Sequence, residues 1–388
     1  MTRRAALFAC TASWVLAQQP PYKDGRQSPS TFEGPGREFG DPPAVREVLL
    51  GYFGPDDERH PEGGSVWQGA TLAVEDANRL GGYRGKPFRL LQRWDDNPWR
   101  GGARIITRMA FVDRVPVLIG SVEGAGTHLA EQVAAKALLP LINPAATDRS
   151  IHMAGVPWMF SVVQGDDLHA SALARALEGR SIVLLSATEH DSRAFAGYFR
   201  KACGRGRSEI KLRLEFDPGR PDLTEIARSA AGAAPGAVVV LAAVRDSARL
   251  VRLIRAERFT GVIAGGPSFG RSAFVREAGA AAEGALFPWV GQPAADFRRL
   301  FVARFGSDPD YAAAGAYDAV GIAVRAIRAS GLNRPRIRDF IAALPPWEGA
   351  GGRIEWDEFG QNRRPSVVAV VGHGEFRAWS SSTAAHAR

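Results

Sequence analysis

The sequence predicts an α/β protein built as two doubly wound parallel-sheet lobes. Apolar runs of strand length alternate with segments of helical periodicity along most of the chain. Those strand runs are apolar on both faces, which requires helices on both sides of a parallel sheet. The alternation comes as two series in tandem, more than one sheet accommodates, because single cores stop growing at about 250–300 residues.

The chain opens with Arg3 and Arg4, a short apolar centre from Ala5, and the end Val15-Leu16-Ala17, which fits a Sec-type signal peptide (1–17) cleaved before Gln18. Cys10 behind Leu7-Phe8-Ala9 faintly follows a lipoprotein box, but few apolar residues precede it and phenylalanine fits poorly. Residues 18–44 contain six prolines and four glycines without apolar periodicity, and read as a mobile linker.

Val48 to Phe53 is a buried-strand run, and Trp67, Ala70, Val74, Ala77 and Leu80 then fall at helical spacing up to the Gly81-Gly82 stop. Strands over 88–94, 115–120 and 139–143 alternate with helices over 100–112 and 127–137. The second series places helices at 166–177, 193–203, 222–231 and 245–257 among strands at 181–187, 209–216, 237–243 and 261–265. Helices over 294–305, 311–330 and 337–344 and strands at 352–356 and 366–372 follow. With no third series to join, they complete the two lobes, so the chain crosses between lobes more than once.

Composition narrows function. The 388 residues are 45% hydrophobic, enough for two cores. Loss of the signal takes the net charge from +8 to +6, and the arginines are scattered among acids, which argues against a nucleic-acid stripe. Only Cys10 and Cys203 occur, so the mature chain has one thiol and no internal disulfide. No later apolar run reaches the roughly 18 residues of a membrane span.

Several segments, taken together, resemble the type I periplasmic binding proteins, specifically the leucine/isoleucine/valine-binding group that feeds ABC importers. They are Gly69-Ala70 with the helix leading to Asp76-Ala77-Asn78-Arg79-Leu80-Gly81-Gly82-Tyr83-Arg84-Gly85-Lys86, Asp95-Asp96, Val117-Leu118-Ile119-Gly120-Ser121, Asn143-Pro144-Ala145-Ala146-Thr147, and Trp356-Asp357-Glu358-Phe359-Gly360. The likeness runs in register over roughly 45–375. It implies a Venus-flytrap in which a three-stranded hinge crosses near 161–165, 286–290 and 350–354. Lobe I would hold 45–163 and 288–350, lobe II 164–287 and 351–380, with a tail at 381–388.

The expected ligand site lies beyond the carboxyl ends of the strands, where helix N-termini present free amides. Ser121 closes one such strand, and the small residues Gly124 and Ala125 before Thr127 let a ligand carboxylate approach the backbone; Ala145, Ala146 and Thr147 can add a hydroxyl and backbone groups. An ordinary glycine-rich turn with a capping threonine is the competing reading. By the resemblance, the serine that grips the amino-acid carboxylate falls at Gly124, and the paired cysteines fall at Glu123 and near Pro98, so both are missing together. The second-lobe aromatic falls near Asp191, and the acid that holds the ligand's ammonium falls near Pro267. These departures remove the family's α-amino contact, so leucine, isoleucine and valine are not expected to bind. Glu123, Asp191, Arg193, Arg245 and Ser268 then form either a different polar set or solvated loop charges. Tyr317-Asp318 resembles a segment near the cleft mouth, although Trp67, Trp289 and Tyr317 also suit core packing.

Enzymatic readings are poorly supplied. Gly266-Pro267-Ser268-Phe269-Gly270 fits a nucleophile elbow after a strand, which raises a serine esterase, but the later histidines are only His373 and His386. There is no H-E-x-x-H, cysteine pair or EF-hand loop, and Glu189-His190-Asp191 reads as a cleft-edge polar cluster and not a metal site. No phosphate-cradling motif occurs. The expectation is a monomeric periplasmic solute-binding component of an ABC importer, neither an enzyme nor a cofactor protein. It would hold a small amino-acid-like or carboxylate-bearing solute and meet permease subunits in the inner membrane. A ligand-sensing subunit of a signalling system on the same fold is the alternative.

Overall fold

The computed structural model describes residues 31–42, 45–95 and 97–380. The expected signal peptide, its Cys10, the tail and the first part of the expected linker lie outside the described residues. The first series runs β1 (Val48–Phe53), α1 (Gly64–Arg79), β2 (Phe88–Arg93), α2 (Pro98–Phe111), β3 (Leu118–Gly120), α3 (Gly124–Ala137), β4 (Leu141–Asn143) and β5 (Met159–Ser161). The second runs α4 (Asp166–Ala176), β6 (Ser181–Ala187), α5 (His190–Cys203), β7 (Glu209–Phe216), α6 (Thr224–Gly232), β8 (Ala237–Leu241), α7 (Val244–Ala256), β9 (Val262–Gly265), α8 (Ser272–Ala278) and β10 (Leu286–Trp289). Helices α9 (Ala295–Phe305), α10 (Tyr311–Ser330) and α11 (Arg334–Ala342) follow, then β11 (Trp347–Gly349), β12 (Gly352–Ile354), β13 (Val367–Gly372) and β14 (Glu375–Ala378).

Lobe I carries a five-stranded sheet in the order β2-β1-β3-β4-β5, parallel throughout. Its central strands β1, β3 and β4 are buried on both faces. Tyr52, Ile119 and Ile142 meet α1 and α10, while Phe53, Leu118 and Leu141 meet α2 and α3. Helices α1 and α10 approach closely because their facing residues are small: Ala70, Ala73 and Ala77 against Ala312, Ala316 and Ala319. At Gly69 a Cβ would stand 2.0 Å from the Ala313 carbonyl oxygen, so only glycine fits.

Lobe II carries seven strands in the order β14-β13-β10-β9-β8-β6-β7. Strands β6 to β10 are parallel where they pair, but β13 and β14 join antiparallel, so this sheet is mixed. Leu173, Leu177, Phe195 and Phe199 pack on one face, and Ile226, Val251, Ile254 and Phe274 on the other.

Two boundaries differ from the sequence reading. Residues 31–42 of the expected mobile linker are fastened to lobe I. Arg37 pairs with Asp339 at 2.5 Å, Asn333 Nδ2 donates to the Gly36 and Phe39 carbonyls at 2.8 and 2.9 Å, and Asp41 accepts from the Leu332 amide at 2.7 Å. Those partners lie some 300 positions away, beyond any local pattern. The third passage between lobes comes later than 350–354. Asp318 on α10 accepts from the amides of Ala350 and Gly351 at 2.7 and 2.8 Å and holds the β11–β12 hairpin on lobe I, with Ile354 in that lobe's core. The chain crosses after Asn362, whose Nδ2 donates to the Val162 carbonyl of the first passage at 2.7 Å; Arg364 reaches the Val290 carbonyl of the second at 2.6 Å. Among the described residues no helix is long and apolar enough to cross a membrane.

Candidate functional site

Between the lobes lies a cavity of about 160 Å³. Lobe I lines it with Glu62, Val122, Glu123, Ala125, the Ala145-Ala146-Thr147 loop and Tyr311 at the start of α10; Asp166, the first residue of α4, adds its carboxyl. Lobe II answers with Glu189, His190, Asp191, Ser192, Phe195, the 241–243 segment, and Gly266, Pro267, Ser268 and Arg271. Each polar group comes from a strand end or helix start, because parallel sheets gather those ends on one side.

The lobes meet through their own carboxylates. Asp191, on α5 of lobe II, accepts from the Gly124 amide at the start of α3 in lobe I, at 2.8 Å to its nearer oxygen. Glu62 of lobe I accepts from the Val244 amide at the start of α7 in lobe II, at 2.7 Å. Each carboxyl oxygen accepts at the positive end of the opposite lobe's helix. The amide that the sequence reading assigns to a ligand carboxylate at Gly124 is therefore taken by the protein.

Arg271 supplies the other polarity. It is 3% exposed, lies 4.7 Å over the Tyr311 ring, and leaves Nε and Nη1 without a hydrogen-bond partner. Burial works against its charge, but Tyr311, Asp310 and Glu62 outweigh that and raise its pKa, so it stays a cation. The same cavity is lined by acids with unmet capacity: Asp166 Oδ1 and Glu189 Oε2 are both buried and unpartnered. Burial pushes Asp166 well above the usual carboxyl range and raises Glu189 and Asp191. Glu123 is pushed up to about 7, first by burial and then by neighbouring Asp191. Such carboxyls hold protons that a cation would displace.

Of the residues named from sequence, Glu123, Ala125, Ala145, Ala146, Thr147, Asp191 and Ser268 line the cavity. Gly124 lies at its edge through the Asp191 contact, and Ser121 is fully buried beneath, against the Gly126 backbone. Arg193 and Arg245 point to solvent. Arg193 follows Asp191 by two residues, about 200° around the helix. At the start of α7 it is the Val244 backbone, and not the Arg245 side chain, that meets Glu62. Tyr317 donates to Asp76 at 2.6 Å and packs on Phe297, away from the cavity; Tyr311, about 9 Å earlier along the same helix, lines it. The hydrogen-bond partner of Ser268 Oγ is Ser247 Oγ at 3.3 Å and not an imidazole, so the esterase arrangement is not assembled. Sequence reading missed Glu62, Asp166, Arg271 and Tyr311. Arg271 directly follows the 266–270 motif that drew attention to Ser268.

A profile of the periplasmic binding protein family matches residues 55–375. An amino acid binding protein of Pseudomonas aeruginosa is 26% identical over 125 residues, covering 32% of this chain and 33% of that protein, so the match spans about a third of the relative. Among solved structures, the branched-chain amino acid transporter substrate binding protein LivJ from Streptococcus pneumoniae, in complex with isoleucine, superposes with a TM-score of 0.78 at 22% identity, covering 86% of this chain and 98% of that one. A solute binding protein of an ABC transporter from Rhodopseudomonas palustris, in complex with 3,4-dihydroxy benzoic acid, gives 0.76 at 18% identity, covering 86% and 96%. These structures share the two-lobed fold.

Proposed function

The chain belongs to the periplasmic binding protein family, and on that footing we propose that it captures a small zwitterionic solute between its lobes and delivers it to the permease of an ABC importer. Family and structural neighbours are solute-binding proteins and not enzymes. The observation that carries the choice of solute is Arg271: a buried guanidinium with two unpartnered nitrogens is costly without an anion beside it, and a carboxylate satisfies it with charge-assisted bonds. The surrounding acids suit an ammonium group, so the α-amino contact that Pro267 removes is supplied by Asp166, Glu123 and Glu189 instead. The volume supports a compact solute, since a cavity of about 150 Å³ holds a benzene ring. Isoleucine in LivJ and 3,4-dihydroxy benzoic acid in the Rhodopseudomonas protein both carry the carboxylate that Arg271 would take. Delivery to a permease would place the protein in the periplasm, in keeping with the signal peptide expected over residues 1–17.

The mechanism is a shift in the balance between open and closed lobes. A solute bound to Arg271 on lobe II and to Thr147 on lobe I contacts both sides, so it favours the closed form that a permease reads. Calorimetry with short amino acids, the matching amines without the carboxylate, and the matching acids without the amine tests the reading. The amino acid is expected to bind at least about tenfold tighter than either truncated compound, and Arg271→Met to weaken it by about 1.5–3 kcal/mol. An amine that binds as tightly as its amino acid, or unchanged affinity in Arg271→Met, refutes the assignment.

A further inference from the structure

Beside the cavity, three side chains far apart in sequence converge across the lobe interface. His128 on α3 and Asp148 after β4 belong to lobe I, and His190 opens α5 in lobe II. Asp148 Oδ2 lies 3.2 Å from His128 Nε2 and 2.7 Å from His190 Nε2, and one ligand atom from each of the three residues falls within 4.8 Å of the others. The two rings stand nearly perpendicular, 88° apart with centroids at 5.4 Å, so that both Nε2 atoms turn toward the same carboxylate oxygen. From this arrangement we infer that His128, Asp148 and His190 form a binding site for a divalent transition-metal ion, of which Zn²⁺ is the best match, that bridges the two lobes.

The donor set fits that ion. Zn²⁺ takes imidazole nitrogen and carboxylate oxygen at about 2.0–2.2 Å in a tetrahedron, which puts neighbouring ligand atoms about 3.3 Å apart. The His128 contact to Asp148, at 3.2 Å, matches that spacing, and the His190 contact, at 2.7 Å, is shorter, so side-chain rotations that move His190 outward complete the set. Ser150 Oγ, 2.8 Å from His128 Nε2, offers a further oxygen or positions a water at the fourth place. Outside the ligands, His128 Nδ1 faces Glu131 Oε2 at 3.6 Å, the carboxylate–histidine pairing that orients metal-bound imidazoles. Glu131 is 3% exposed and its Oε1 has no partner, a buried acid that the fold otherwise leaves unexplained. Two imidazoles and one carboxylate favour Zn²⁺, Ni²⁺ or Cu²⁺ over Mg²⁺ and Ca²⁺, which prefer all-oxygen sites.

Because His190 comes from the opposite lobe, an ion finds all three ligands only when the lobes are together. It thus acts as a second closing ligand, and by reciprocity any solute that closes the lobes raises metal affinity by the same factor that the metal raises solute affinity. His190 also lines the solute cavity, so the two sites share a wall.

The test is calorimetric titration of Zn²⁺ into untagged, chelator-stripped full-length protein, with Mg²⁺ and Ca²⁺ as controls, repeated in His128→Ala and His190→Ala. Both substitutions trim side chains that reach solvent, and circular dichroism checks their folding. One equivalent of Zn²⁺ is expected in the parent, with affinity falling at least about tenfold in each variant and no binding of the control ions. Substituting Co²⁺ should give the visible absorption of a tetrahedral nitrogen–oxygen site in the parent alone. Absence of binding at about 100 µM Zn²⁺, or binding that survives both substitutions, overturns the site. Loss in His128→Ala with full binding in His190→Ala overturns the bridge between lobes.

Discussion

At the scale of single residues, the cavity works by holding charges away from water until a partner arrives. Glu123 is the most accessible example. Its carboxyl titrates near 4.5 in an unfolded chain and near 7 in the fold, where it faces Asp191, Glu62, Glu189 and His190. Between those values the folded protein keeps a proton that the unfolded chain has released, so this residue's contribution to stability falls as pH rises through the window and no penalty remains below it. Glu123→Gln removes the ionisation. Measured by urea unfolding, the variant is expected to gain about 1–3 kcal/mol over the parent at pH 8 and almost nothing at pH 4. An equal difference at both pH values would show that the effect is packing and not charge. The same reasoning makes Arg271 decisive for ligand choice, since among the described residues it is the one guanidinium that lines the cavity.

At the scale of elements, helices are positioned by small residues and by carboxylates at their ends. The α1–α10 contact depends on Gly69, where any Cβ meets the Ala313 carbonyl. Gly69→Ala is therefore expected to destabilise lobe I by about 1–3 kcal/mol, read as a lower urea midpoint with an unchanged slope. Unaltered stability would mean that the two helices slide apart without cost. The hairpin of β11 and β12 shows a similar logic: three-residue strands have little intrinsic stability, and Asp318 fixes them by accepting two amides.

At the scale of the whole molecule, closure rests on two reciprocal contacts, Asp191 with the α3 amide and Glu62 with the α7 amide. Each links one lobe to a helix start of the other, so removing both tilts the balance toward separated lobes. The Glu62→Ala, Asp191→Ala double variant is expected to show a larger radius of gyration by small-angle X-ray scattering, with the circular dichroism spectrum retained. A radius identical to the parent's would place the closing energy elsewhere.

The alternating pattern was legible in sequence because strand and helix periodicity are local, and strands apolar on both faces leave a parallel sheet covered by helices as the way to bury them. Most elements, the two-lobe plan and the loops around Glu123 and Thr147 follow from that. Strands β5, β11 and β14 and helix α8 escaped because they span three, three, four and seven residues, too few to show a period. Arg193, Arg245 and Tyr317 were misplaced for a related reason: a residue's position near a helix start does not say which way its side chain points. The sequence by itself determined which segments form strands and helices and that their ends crowd one side of each sheet. Only the tertiary structure decided which side chains from opposite lobes face one another, because Arg271 and Tyr311, or His128, Asp148 and His190, are joined by packing across a cleft and by no pattern along the chain.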